Sequence, residues 1–205
     1  MTREAGRTAF LERVRVATGR SANAPITRPP PPPLHSAPRD ARTMAERFKL
    51  ELEAVHGSAH LVASLEEGRR VLEQLLAGAA SYCRSPHPIL DELGLGAAEL
   101  PLAAPSEAGL GVTGCELAVA ATGSVVLSSG WGRLAALLPP WHVVVVRASQ
   151  LVPDLNDAYL EMARLARPGA WGLHTGPSKS ADIEQTMALG VHGPGVVDVV
   201  VLLGR

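Results

Sequence analysis

The chain has 205 residues, 46% of them hydrophobic and 19% charged, which suits one soluble domain with a sizeable core and a tail. Aromatic residues make up only 3% and the formal net charge is -1, so there are few rings to stack bases and no basic field for a phosphate backbone. Nucleic acid is therefore not an expected partner, and a core left to Val, Leu, Ile and Ala favours an α/β layer fold.

Residues 1–20 carry Arg3, Glu4, Arg7, Glu12, Arg13 and Arg15 where a secretory signal would place an apolar core. No later apolar run is long enough to span a bilayer, and a cytoplasmic protein is expected. Phe10, Leu11, Val14 and Val16 make this first stretch an amphipathic helix suited to docking on a neighbouring subunit, which points to a homo-oligomer. The unbroken run from Pro29 to Pro33 favours polyproline II, rising roughly 3.1 Å per residue. Residues 1–38 thus read as a helix and linker, and residues 39–205 as the main domain.

The main domain begins with a helix over residues 42–55 closed by Gly57, then a short strand over 59–63. Ser64 with Glu67 is a capping-box pair ahead of a helix reaching Ala77, and residues 81–83 suit another strand. Alternation of this kind predicts a mostly parallel sheet with flanking helices. Pro86, Pro88, Pro101 and Pro105 punctuate the next region, which holds a short helix near residues 89–93. Cys83 and Cys115 lie far apart and outside any C-x-x-C spacing, so they read as buried thiols, and no metal or iron–sulfur site made by this chain alone is expected.

Residues 111–128 place two apolar runs around Thr122, Gly123 and Ser124, a hairpin whose turn glycine supplies positive φ. A structural and an anion-binding reading of that turn stand level. Gly130-Trp-Gly-Arg133 and Pro139-Pro-Trp-His142 follow, ahead of a strand over 143–146. Arg133 reads as a surface cation or an anion clamp, and His142 as a hydrogen-bonded imidazole at a strand entrance or a general base. Next comes Thr175-Gly-Pro-Ser-Lys-Ser-Ala-Asp-Ile-Glu184. Gly176 frees a turn there, and Ser178 or Ser180 is expected to cap a helix with Asp182 and Glu184 in its first turn. Those carboxylates point to different helix faces, so only one would face a pocket, and Glu184 is the candidate base or nucleophile. His192, within Gly190-Val-His-Gly-Pro194, enters a last strand over 196–203 and is the third catalytic candidate beside Glu184 and His142. No G-x-G-x-x-G follows a strand, which argues against a nicotinamide enzyme, and no cofactor is assigned.

Thr122-Gly-Ser124, Ser129-Gly-Trp-Gly-Arg133, Leu138-Pro-Pro-Trp-His142, Gly176-Pro-Ser-Lys-Ser-Ala-Asp-Ile-Glu184 and Gly190-Val-His-Gly-Pro194, in this order, resemble the LUD family from about Gly111 onward, roughly half the chain. The resemblance implies that residues 39–205 form a LUD-like domain of Rossmann-like α/β fold, similar to the ribose-5-phosphate isomerase and CoA-transferase group. It further implies an accessory subunit, without its own iron–sulfur cluster, in a system oxidising L-lactate to pyruvate beside iron–sulfur partner subunits. The loops carrying Thr122, Gly123, Ser124, Gly130, Arg133, Gly176, Ser178, Ser180 and Asp182 would bind a small organic anion or face a partner, Arg133 suiting a carboxylate. The alternative is an independent enzyme on a sugar phosphate or acyl-CoA-type substrate, with Glu184 as base or nucleophile.

Overall fold

A computed structural model describes residues 3–19, 39–95, 102–165, 168–181, 187–189 and 192–204. The chain divides into two compact units, Met1–Ser36 and Ala37–Arg205. The first holds α1 (Arg3–Thr18), on which Phe10, Leu11, Val14 and Val16 are exposed. The proline run lies outside the described residues.

The second unit opens with α2 (Ala41–Ala54), β1 (Ser58–Val62), α3 (Leu65–Leu76), β2 (Tyr82–Arg84), α4 (Pro88–Glu92) and β3 (Leu110–Gly114). It continues through β4 (Leu117–Val119), β5 (Ser124–Ser128), α5 (Leu134–Leu137), β6 (Trp141–Arg147), β7 (Leu151–Val152) and α6 (Leu155–Met162). The last elements are β8 (Trp171–Thr175), β9 (Lys179–Ala181), β10 (Met187–Leu189) and β11 (Val196–Leu202).

Five strands form a parallel sheet in the order β1-β11-β6-β3-β2. Its central strands are valine runs because both faces are covered. Val144 and Val146 of β6 join Val199 and Val201 of β11 under Met44, Phe48 and Leu52 of α2. Val143, Val145 and Val200 face the other way, onto Leu72 and Leu76 of α3 and Ile89 and Leu90 of α4. Side chains alternate across a strand, so one run of valines serves both cores. The α/β architecture with a parallel sheet between helices is the one expected.

The caps follow the sequence closely. Asp40 accepts from the Thr43 backbone N–H at 2.9 Å, and Ser64 from that of Glu67 at 3.2 Å. The Glu67 carboxylate reaches back to the Ala63 N–H, one residue before the expected capping-box partner. α2 ends in a Schellman arrangement: His56 takes the left-handed position at φ 71°, its N–H donating to Glu53 O and that of Gly57 to Leu52 O. Gly57 thus stands one residue past the left-handed site, and a Cβ there would meet Leu52 Cδ1 at 2.5 Å.

Two expectations are corrected. The apolar run starting at Gly111 is two strands in different sheets, because the chain leaves the parallel sheet after Gly114 and enters β4 at Leu117. The Glu116 N–H already donates to Val126 O, committing the following residues to the second sheet. That sheet runs β7-β4-β5-β8, with the β4–β5 hairpin and β8 antiparallel and β7 parallel to β4, and α6 packs its Ala158 against Leu117, Val119 and Val126. Nor does a helix begin at Ser178 or Ser180. Lys179–Ala181 is β9, paired antiparallel with β10 in the register Ser180↔Ala188, so the backbone is tied across strands instead of along a helix.

Candidate functional site

The Thr-Gly-Ser turn joins β4 to β5 with Gly123 at φ 63°, the left-handed conformation a tight turn needs. A Cβ on Gly123 would lie 2.4 Å from Leu52 N, so the turn presses against the last turn of α2. The hydroxyls beside it bind one another: Thr122 Oγ1 lies 2.7 Å from Ser124 Oγ, which lies 2.6 Å from Thr175 Oγ1. This chain of hydroxyls ties the hairpin to the end of β8, and Ser124 is buried.

Beside that tie lies a cavity of about 270 Å³ at the amino ends of β6 and β11. Its wall combines Leu52, Val125, Leu137, Val197 and Val199 with Gly123, Thr175, Gly176, Ser178 and three histidines, His142, His174 and His192. Gly176, at φ 63°, brings the backbone against Val55, where a Cβ would come within 2.8 Å of Cγ2. The Ser178 N–H donates to Pro194 O at 2.8 Å, which closes the Gly-Pro-Ser turn onto the Val-His-Gly-Pro segment. Motifs spread along the sequence from Gly123 to Pro194 share one wall.

His142 is 1% exposed, its Nε2 lying 2.9 Å from Thr113 Oγ1. Burial, helped by the neighbouring His174, pushes its pKa down to about 3, so the imidazole is neutral. His174 stands edge-on to it with ring centroids 6.4 Å apart, and burial lowers its pKa as well. His192 is exposed at the rim. Among the described residues no group of three or more His, Cys, Asp or Glu side chains is arranged to hold a metal ion.

Arg133 precedes α5 and lines a neighbouring cavity, exposed and without an ion pair or hydrogen bond to the described residues. Gly130 is exposed in the turn over Ser129–Trp131. The motif's tryptophan is the anchor there: Trp131 Nε1–H donates to Glu116 Oε1 at 2.8 Å, Ser128 Oγ donates to the same oxygen at 2.7 Å, and His87 packs on the indole. Asp182 and Glu184 lie outside the described residues, and of Ser180 only the backbone, in β9, is described. His174 is the site residue that sequence reading missed. Its one local signal was its place directly before Thr175-Gly-Pro-Ser.

Residues 105–202 match the family model of the LUD domain. Over those residues the chain is similar to the LUD family. The cavity, His142, His174 and His192 all lie within those residues, apart from Leu52, contributed by α2. Lactate utilization protein C of Bacillus subtilis (strain 168) is 38% identical over 95 residues, 43% of this chain and 40% of that protein. The protein of the same name from Halalkalibacterium halodurans is 37% identical over 95 residues, 43% and 41% of the two chains, and that from Geobacillus sp. (strain WCH70) 35% over 107 residues, 48% and 44%. The chain therefore spans less than half the length of these relatives. A solved DUF162 family protein from Deinococcus radiodurans shares the fold, with a TM-score of 0.58 at 22% identity, over 81% of this chain and 100% of that one. No helix among the described residues is long and apolar enough to cross a membrane.

Proposed function

We propose that the LUD domain serves lactate utilisation as an accessory, ligand-binding subunit of a system oxidising L-lactate to pyruvate, the electrons passing to iron–sulfur partner subunits. The observation that carries this reading is the shared identity with proteins named lactate utilization protein C, beside the LUD-domain match over residues 105–202, which hold most of the cavity's lining. With its imidazole held neutral down to about pH 3, His142 suits a hydrogen-bonding role better than that of a base, whose pKa should lie near the working pH. His192 at the rim and Ser178 in the wall are the further polar groups offered to a ligand. The alternative, an independent enzyme on a sugar phosphate or acyl-CoA-type substrate, is less well supported: no Lys or Arg lines the larger cavity among the described residues, and the Thr-Gly-Ser turn joins strands instead of opening a helix.

Deletion of the gene is expected to abolish growth on L-lactate as sole carbon source while leaving growth on pyruvate intact. Normal growth on lactate without the gene would sink the role. Retrieval of iron–sulfur subunits with the tagged chain from lactate-grown cells tests the partner assignment separately.

A further inference from the structure

The larger cavity has a neighbour of about 170 Å³, lined by Leu127, Arg133, Ala136, Leu137, Trp171 and His174. Leu137 and His174 face both spaces. We propose that the two cavities form one elongated site for an amphiphilic organic anion longer than lactate. Its carboxylate sits at Arg133, its apolar stem passes Leu137, and its far, uncharged hydrogen-bonding end reaches His174 and His142. This rests on the reading above only in taking the same cavity as the working site.

Charge places the head group. Among the described residues Arg133 is the one Arg or Lys lining either space, and it has no partner there to neutralise it. A guanidinium left open in this way offers a paired, charge-assisted hydrogen bond to a carboxylate. The larger cavity has the opposite character. Its described polar groups are hydroxyls and imidazoles, His142 fully buried and His174 with no hydrogen-bond partner among the described residues. A second charge would be stranded there, whereas a hydroxyl or carbonyl would be satisfied.

Size agrees with charge. The larger cavity alone holds about 270 Å³, and the two together fall within the range of about 300–1,000 Å³ usual for sites that enclose a ligand of many heavy atoms. A three-carbon acid at Arg133 would fill only part of the combined space. Leu137 at the junction and Trp171 in the smaller space supply the apolar wall a stem requires.

Calorimetric titration of the full-length chain with L-lactate, butyrate, hexanoate and octanoate, the last three also carrying a terminal hydroxyl, tests the assignment. Affinity is expected to rise by about tenfold for every two methylenes added up to the length of the site. The terminal hydroxyl should strengthen binding only in the longer acids. Arg133→Ala and Arg133→Gln, both at an exposed position and checked by thermal unfolding, should each weaken every member about tenfold or more. A flat series, or variants that bind as the parent does, overturns the proposal. Loss of growth on lactate in the deletion strain together with a flat series would reject this ligand class and leave the lactate role standing.

Discussion

At the residue scale, His142 shows how one side chain's chemistry is set by neighbours far away in sequence. Thr113 holds one of its ring nitrogens, His174 stands beside it, and burial keeps the proton off. The folded-state pKa of about 3 lies below the ordinary 6.5, so the unfolded chain takes up the proton first as the pH falls. Stability from this group is fully present above about pH 6.5 and is lost progressively as the pH drops toward 3. Burial of His174 acts in the same direction. Urea unfolding at steps between about pH 7 and about pH 5 should show stability falling by up to about 1.4 kcal/mol per pH unit for each such proton. In His142→Asn that slope should flatten by about one proton, and an unchanged slope would mean that the imidazole is already solvated in the native state.

At the scale of elements, the Thr-Gly-Ser hairpin is a joint between layers more than a free loop. Gly123 combines a left-handed φ of 63° with contact against the backbone of α2, and its flanking hydroxyls are spent on Thr175. Gly123→Ala adds both left-handed strain and a backbone clash, and should destabilise the fold by about 2 kcal/mol or more. Thermal unfolding should register this as a fall of several degrees. A variant as stable as the parent would show that the hairpin can lift from α2 without penalty. The hairpin and the Gly-Pro-Ser turn were legible as turns because glycine, proline and hydroxyl residues punctuate the chain there. The pairing of β9 with β10 was not. Ser, Asp and Glu after a Gly-Pro pair favour a helix start locally, and cross-strand hydrogen bonds to Met187–Leu189 override that preference at Lys179–Ala181.

At the scale of the whole molecule, Met1–Ser36 and Ala37–Arg205 are separate compact units, and each core cluster of the second is made from its own residues. A chain beginning at Ala37 should therefore keep its cooperative melt. If the exposed Phe10, Leu11, Val14 and Val16 of α1 are covered by a second copy, light scattering should show a lower mass after removal of residues 1–36. An unchanged mass would give α1 no part in assembly.

By itself the sequence determined the kinds of element and the resemblance to the LUD family. Valine runs, capping residues and turn glycines act over a few positions, and five motifs in fixed order need no coordinates to be matched. Only the tertiary structure decided which of those motifs meet. His142 and His192 converge because β6 pairs with β11, Gly176 and Ser178 join them through the bond from the Ser178 N–H to Pro194 O, and Arg133 is set one cavity away. His174 entered the site, and the change of sheet between Gly114 and Leu117 was revealed, through contacts between distant segments. Such contacts leave no periodic trace in the chain, since pairing across sheets depends on partners far removed in sequence.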